Sequence, residues 1–430
     1  MKKDINKEKF LSYFNNLDEK NFLIKDEKKR KKIFDFYQKN DFPNQKTENW
    51  KHTNISQIFK SSYNLNYDIK NIDFEKYLIP NLNANILVFV NGIFQKENSK
   101  IISKDLIIEN LKEAKKKYLS IFDENFEKTE VSLENNFTAL NTLFADDGIF
   151  IYVPKNKVIK ENIHLIFISD GLKKKAFLSQ IRNLIILDEN SKAKIISSYT
   201  SSKLSKNFTN AVSEIILKSN SDLELNILED EGNKSFLLNN NKVFQNKNSN
   251  FSCNTITING NLIRNDLSVS FKEEFCKCSL NALYLADKKQ HFDNFVFVNH
   301  ENANCKSEQN YRGIIDEKAI IVFLGKIFVA KNSQQTDAKQ LNKNVLLSDF
   351  AKVYSKPQLE IYADDVSCAH GSSTGQLDKE ALFYLNSRGI GKKDARNFLL
   401  YAFILEILNK TSIPEFKNEI NNLVEKRFKN

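Results

Sequence analysis

Short apolar runs rich in β-branched and aromatic residues dominate the middle of the chain. They begin near residue 83 and are separated by Asn, Asp, Ser, Lys or Gly. A period of two residues is typical of strands that have one buried face. The pattern therefore predicts a long all-β region, with strands at residues 86–90, 149–153, 163–168, 184–187 and 319–324.

The two ends of the chain show a helical period instead. Phe10, Leu11, Phe14 and Leu17 recur at spacings of three and four residues, as on one face of an α-helix. Within the β region, one helix is predicted at residues 106–122. The expected organisation is an N-terminal helical region at 1–82, a β core at 83–371 with a helical insertion near 105–145, and a C-terminal helical region at 372–430.

Two helices are predicted in the C-terminal region. One covers residues 378–389, because Asp378 and Glu380 give it an acidic first turn and Gly389 ends the pattern. The second covers residues 392–409 and is apolar on almost all sides. Such a helix has to be buried on more than one side, either against other helices of the chain or in a groove of a partner protein.

A weak repeat organises the β region. Segments that begin at residues 189, 219, 247, 272 and 301 each start with a polar turn and continue with alternating residues. Their steps of 30, 28, 25 and 29 residues are typical of stacked coils in a solenoid. A sandwich or barrel would alternate similarly but should show tight hairpin turns, which we do not find between residues 160 and 250. We therefore predict a right-handed parallel β-helix core flanked by N-terminal and C-terminal α-helical regions.

Four of the five cysteines fall within this repeat. The alignment puts Cys276 and Cys305 in the column of Phe251, and Cys253 and Cys278 in a neighbouring column. Both columns face inward, where a thiol behaves as a small apolar side chain. We expect these four residues to be structural, and we expect reduced thiols, as in a cytoplasmic protein.

Composition narrows the functional classes. The chain has 64 Lys+Arg against 54 Asp+Glu, and a net charge of +10 could attract nucleic acid or anionic lipid. The excess is spread along the chain, and its runs at residues 25–32 and 115–117 are of the kind that forms solvated helix faces. No apolar run approaches the roughly 18 residues that span a bilayer, and no apolar segment follows the basic N-terminus. We expect no nucleic-acid partner, no membrane and a cytoplasmic location.

The densest group of metal-capable side chains lies near the end of the β region. Residues 358–363 alternate as in a strand, and Asp365, Cys368 and His370 follow before Gly371, where we expect the backbone to turn. Imidazole and thiolate both bind iron or zinc, and residues two apart share one face of a strand. Cys368 and His370 are therefore candidate metal ligands. The alternative is a loop histidine that hydrogen-bonds to Asp365.

Other chemistries find less support. Asp364 and Asp365 would point to opposite faces of a strand, which disfavours a general acid–base pair in a β-helix enzyme that acts on polysaccharide. The chain contains no Gly-x-Ser-x-Gly nucleophile motif. Residues 371–375 lack the lysine of a phosphate-binding loop. We do not expect the chain to hydrolyse a nucleotide by itself.

The C-terminal part of the chain resembles the SufB/SufD family of iron–sulfur cluster assembly scaffolds. The resemblance is carried by residues 311–313, 323–329, 334–348, 357–378 and 382–390. The Cys-x-His-Gly motif at 368–371 and residues 48–53 are more similar to the SufD branch. Members of the family usually have Ala-Thr after His-Gly, where this chain has Ser372 and Ser373.

The resemblance implies a scaffold subunit that is not itself an enzyme. It implies a heterodimer with SufB through the β-helices, with a homodimer possible in isolation, and a SufC ATPase that docks on the C-terminal helices. It also implies that His370, with Cys368 as a second candidate, holds a transient iron–sulfur cluster at the SufB interface, and that the isolated chain binds no cofactor stably. A SufB-type scaffold that accepts persulfide on an exposed cysteine is the alternative.

Overall fold

The computed structural model describes residues 5–13, 23–24, 26–64, 72–145, 147–170, 176–201 and 206–429. Its α-helices are α1 (Ile5–Ser12), α2 (Glu27–Lys39), α3 (Ser56–Lys60), α4 (Leu111–Lys117), α5 (Leu119–Asn125), α6 (Asn136–Phe144), α7 (Lys379–Ser387), α8 (Lys392–Leu408) and α9 (Pro414–Lys429). Its strands are β1 (Tyr63–Asn64), β2 (Ala84–Val90), β3 (Ile93–Phe94), β4 (Ile107–Asn110), β5 (Ile149–Val153), β6 (Asn162–Ser169), β7 (Ala176–Leu187), β8 (Lys192–Ser201), β9 (Asn207–Leu217), β10 (Asp222–Asp230), β11 (Phe236–Gln245), β12 (Asn250–Asn259), β13 (Leu262–Phe271), β14 (Lys277–Ala286), β15 (His291–His300), β16 (Lys306–Ile315), β17 (Ile320–Val329), β18 (Thr336–Leu346), β19 (Lys352–Ile361) and β20 (Val366–Gly375).

The strands form a parallel β-solenoid of about seven coils. Successive strands alternate between two sheets, an odd sheet that runs from β5 to β19 and an even sheet that runs from β6 to β20. From β7 to β18, each strand pairs in parallel with the strands two places before and after it, as Asp222 does with Lys192 and Asn250. The inner faces of both sheets enclose one apolar core. The predicted mainly β fold with helices at both ends is confirmed.

The repeat is confirmed with one correction to its register. Lys192, Asp222, Asn250, Lys277 and Lys306 are equivalent positions, so the steps are 30, 28, 27 and 29 residues. The predicted step of 25 was wrong because the residues after β13 still belong to the preceding corner. A slip of two residues keeps every side chain on the same face. The four cysteines are therefore buried as predicted, although their neighbours differ.

In the corrected register, the thiols have different neighbours from those that the repeat alignment predicts. Cys278, and not Cys276, lies beside Phe251. Cys276 and Cys305 precede β14 and β16 and lie in the corners of the solenoid. Two of the four thiols are therefore corner residues, which the repeat alignment did not predict.

The two ends of the solenoid differ. Residues 107–110 form β4, antiparallel to β5, where the sequence predicts a helix. Helix α4 begins only at Leu111, where the Asn110 side chain accepts a hydrogen bond from the Glu113 N–H. Strand β3 likewise pairs antiparallel with β2. The first coils are thus capped by antiparallel strands, whereas no described strand pairs with the outer edges of β19 and β20.

The N-terminal region packs on the odd sheet through a buried charge cluster. Trp50 is buried as predicted, but it contacts the solenoid and not only helices. The Arg264 guanidinium lies 3.8 Å from the centre of the Trp50 ring and donates to the Asn49 carbonyl at 2.9 Å. Arg264 also pairs with Asp266 at 2.7 Å and with Asp293. Burial of these charges is tolerated because each has a partner.

Helix α2 carries most of the basic run near the N-terminus. Ile33 and Tyr37 are buried one turn apart, while Lys28 and Lys31 are exposed. The predicted solvated face is confirmed for this helix. Phe14 and Leu17, which the sequence predicts on a helix, and Lys25 lie outside the described residues.

Helices α8 and α9 cover the outer face of the even sheet. One apolar cluster joins Leu283 and Ile314 of the sheet to Leu400, Ile404 and Phe416 of the helices. None of the described helices combines the length and the apolar character needed to cross a membrane. The C-terminal helices are therefore part of the same packed body as the later coils.

Replacing Arg264 with Ala should destabilise the fold. The change leaves Asp293 buried and Asp266 half-buried without a cation, which costs about 3–5 kcal/mol of unfolding free energy. Urea unfolding at neutral pH measures the loss. Replacing Arg388, an exposed arginine after α7, should change stability by less than about 0.5 kcal/mol. Equal effects for the two variants would contradict a buried charge cluster.

Acid should destabilise the fold through His164. This side chain is buried beside the Ser198 hydroxyl at 2.8 Å, and burial lowers its pKa from 6.5 to about 3. The folded protein keeps it neutral, whereas the unfolded chain protonates it below pH 6.5, so lowering the pH favours unfolding.

The variant His164→Gln isolates this contribution, because glutamine can keep the hydrogen bond to Ser198. Below about pH 6, wild type should lose about 1.4 kcal/mol more per pH unit than the variant. Urea unfolding at several pH values gives both slopes, and identical slopes would show that His164 does not titrate on unfolding.

Candidate functional site

The interior of the solenoid becomes polar towards its C-terminal end. One inward column of the even sheet reads Ile195, Leu225, Cys253, Leu280, Gln309, Gln340 and His370 from the early coils to the last. Gln309 and Gln340 are still covered by the next coil and are buried, whereas His370 stands in the last coil and is exposed. Buried polar side chains need hydrogen-bond partners, which here they can find in each other.

These polar side chains form a network across the interior. The Gln340 amide donates to Gln309 at 2.8 Å. The Ser355 hydroxyl, on the odd sheet, donates to Asn342 at 2.8 Å and lies 2.8 Å from the Ser372 hydroxyl, on the even sheet. Side-chain hydrogen bonds therefore join the two sheets at the open end, as the bond from the Asn265 amide of the odd sheet to the Glu229 carboxylate of the even sheet does in a deeper coil, at 3.0 Å.

Cys368 and His370 lie side by side on the inner face of β20, the last strand of the even sheet. Cys368 is half-buried against the core, and burial raises the pKa of its thiol. His370 is exposed at the mouth of the interior. The expectation that the two side chains share one face is confirmed, since the strand extends past both.

Two local expectations were wrong. Asp365 does not bond to His370; its N–H donates to Gln334 at 2.8 Å and its carboxylate accepts from Gln335. Gly371 does not turn the chain but lies within β20, which continues to Gly375. A side chain at Gly371 would come within 3.3 Å of Leu341, so glycine keeps the outer surface of this edge strand flat.

The described residues do not complete a metal site. No group of three or more His, Cys, Asp or Glu side chains in the described ranges could hold a metal ion. Cys368 and His370 supply two donors, whereas an iron–sulfur cluster is commonly held by more than two protein ligands. The arrangement can therefore contribute ligands but cannot enclose an ion.

The other thiols lie away from the surface. Cys253, Cys276, Cys278 and Cys305 are each at most 5% exposed. Burial raises the pKa of the Cys253 thiol to about 12 and also raises the pKa of Cys278. A raised pKa leaves little thiolate at neutral pH, and thiolate is the reactive form.

The N-terminal segment 48–53 also reaches the open end. The His52 ring stacks on Tyr354 of β19 with 4.0 Å between centroids, and Glu48 pairs with Lys356 at 3.0 Å. Sequence reasoning missed both this contact and the polar interior. The alternation of Gln340, Asn342 and Asn344 along the chain was the available signal for the interior, whereas nothing local indicated the contact of segment 48–53.

Comparison with known proteins places this geometry in context. Residues 167–403 match the family model described as the SUF system FeS cluster assembly, SufBD core domain. Residues 9–165 match the SufBD protein N-terminal region. The boundary between the two matches falls within β6. The match to the N-terminal region therefore includes the capped end, and the match to the core domain includes the open end.

Proteins of similar sequence occur in several bacteria. An iron–sulfur cluster assembly SufBD family protein of Synechocystis sp. is 28% identical over 90% of this chain and 87% of its own length. Iron–sulfur cluster assembly protein SufD of Escherichia coli is 27% identical over 88% of this chain and 87% of its own length. A SufBD family protein of Mycobacterium leprae is 32% identical over 40% of this chain and 46% of its own length. Since the core model alone matches more than half of the chain, the protein belongs to the SufBD family of iron–sulfur cluster assembly proteins.

Proposed function

We propose that this chain is a SufD-type scaffold subunit that works in a complex with SufB and the SufC ATPase. Its cargo is a nascent iron–sulfur cluster, and the chain itself is not an enzyme. The observation that carries the proposal is the pair Cys368 and His370 at an uncapped solenoid end, in a protein of this family. A cytoplasmic location, where thiols stay reduced, is part of the proposal.

The open end is suited to a partner of similar build. Strand β20 is ten residues long, contains no charged residue, and has an outer edge that no described strand covers. Exposed edges of this kind add a strand from another chain. Strand addition by SufB would cover the polar interior and bring further ligands next to Cys368 and His370.

The SufB-type alternative is less well supported. A persulfide acceptor needs an accessible thiol with a low pKa. Cys368 is the one cysteine that is not buried, and burial still raises its pKa. The polysaccharide enzyme is also disfavoured, because the backbone N–H of Asp365 is bonded to Gln334 and its carboxylate is bonded to Gln335.

The C-terminal helices offer a second surface, which we assign to the ATPase. Helix α7 has no buried residue, and its Phe383 is 74% exposed. Phe398 of α8 is 62% exposed, so α8 is buried on one side and not all round as the sequence predicts. Exposed aromatic side chains on adjacent helices are typical of the centre of a protein interface.

Replacing His370 with Ala should lower cluster yield and leave the complex assembled. The purified complex would be loaded with iron and sulfide, and bound iron and sulfide would be measured after gel filtration. We expect a loss of about tenfold, comparable to the effect of disturbing a metal site. Ser373→Ala, on the outer face of the same strand, is the matched control. An unchanged yield in His370→Ala would remove this residue from the mechanism.

Replacing Phe383 and Phe398 with Ser should weaken binding of the ATPase subunit. Loss of two interface anchors is expected to reduce affinity by about tenfold or more, measured by pull-down of the co-expressed subunits. Phe350→Ser, at a solenoid corner with 68% exposure, controls for removing an exposed aromatic. Association with SufB should persist. Retention of the ATPase by the double variant would contradict the assignment of α7 and α8.

A further inference from the structure

The corners that precede strands β8, β10, β12, β14, β16 and β18 of the even sheet share one conformation. In each, a residue with φ between 57° and 62° is followed by a small polar residue or cysteine directly before, or at the first position of, the next strand. The pairs are Asn190 and Ser191, Asn220 and Ser221, Asn248 and Ser249, Phe275 and Cys276, Asn304 and Cys305, and Gln335 and Thr336.

The second residue of these corners closes the turn. In four of them a hydroxyl donates to the carbonyl three residues earlier, at 2.6 to 2.8 Å, and these residues are Ser191, Ser221, Ser249 and Thr336. The Cys276 thiol donates to the equivalent Glu273 carbonyl at 3.1 Å. A thiol is a weaker donor than a hydroxyl. Turn closure therefore explains the hydroxyls, but it does not explain cysteines in two consecutive corners.

Cys276 and Cys305 are direct neighbours. The Lys306 N–H donates to the Cys276 carbonyl at 2.9 Å, so the two corners are stacked in register. Adjacent strands lie about 4.8 Å apart, which is within the Cα separation that a disulfide spans. The neighbouring Cys305 side chain lowers the pKa of the Cys276 thiol, and Cys276 in turn raises the pKa of the Cys305 thiol.

The pair lies directly beneath the surface. Both thiols are buried, yet Glu273, Glu274 and Phe275, which precede Cys276, are exposed, as is Lys277 after it. In the earlier corners the Asn side chains hydrogen-bond to one another along the face at 2.8 to 3.0 Å, and this ladder ends at Asn248. Phe275 cannot continue it and holds a positive φ that is uncommon for a bulky residue. Local opening at this corner would admit a small oxidant.

We propose that Cys276 and Cys305 are a redox modification site, at which a peroxide converts the two thiols into a disulfide between neighbouring coils. The Cys276 thiolate attacks the peroxide, so an S–O bond forms, the O–O bond breaks, and the departing hydroxide takes up the proton that the thiol had lost and leaves as water. The Cys305 sulfur then attacks the sulfur of the resulting sulfenic acid, so the S–S bond forms, the S–O bond breaks, and the departing hydroxide takes the Cys305 proton and leaves as a second water. Both sulfurs are oxidised and one peroxide is reduced. The site does not depend on the proposed scaffold function.

Peptide mass spectrometry of the full chain tests this directly. The reduced protein would be treated with hydrogen peroxide while folded, alkylated in denaturant and digested with trypsin. Cleavage after Lys277 separates Cys276 from Cys278, so residues 273–277 and 290–306 should appear as one cross-linked species, two hydrogen masses lighter than their sum. The oxidised chain should show three of its five thiols alkylated, and a reductant should restore all five.

Serine variants provide matched controls. Cys276→Ser or Cys305→Ser should fold, because serine already occupies the equivalent corners, and each should abolish the cross-link. Cys368→Ser removes the half-exposed thiol and should leave the cross-link unchanged. The proposal is overturned by a disulfide that involves any other cysteine, by oxidation of Cys276 to a sulfinic acid without a cross-link, or by full alkylation of both thiols after peroxide.

Discussion

Backbone hydrogen bonding between successive coils is the interaction on which the whole molecule depends. Each strand finds partners for its N–H and C=O groups in the coils before and after it, so a coil at either end lacks one set of partners. At the N-terminal end the chain supplies the missing set itself, through antiparallel β3 and β4. At the C-terminal end, β19 and β20 keep open edges in the described structure. This asymmetry places the candidate chemistry at one end of the solenoid.

The interior next to that end contains polar side chains. Gln309, Gln340 and Asn342 are buried there, with hydrogen bonds to one another or to the surrounding network. Cys368 and His370 stand in the last position of the inward columns. These two side chains are accessible as ligands because they are the last residues of their columns. Every earlier position in these columns is covered by the next coil.

The sequence predicted the solenoid well because its signals are local. Buried strands require a two-residue period, and corners require residues such as Asn190 and Ser191 that accept a positive φ or close a turn. The register of Cys276 was misjudged because a slip of two residues leaves the pattern of faces unchanged. Gly371 was misread as a turn because glycine also serves an edge strand that must stay flat. The start of the helical insertion was missed because pairing of residues 107–110 with β5 is a long-range contact.

The amino-acid sequence by itself determined the coil period, the corner chemistry, the helical ends and the family motif around His370. Each of these depends on residues close together in the chain. Only the tertiary structure decided that β20 is an uncovered edge, that Cys276 lies against Cys305, and that α8 leaves Phe398 exposed. These facts depend on contacts between residues about 30 or more positions apart, and the alternation of apolar and polar residues is compatible with several such pairings. Packing of the complete chain selects one of them, and with it the position of the candidate site.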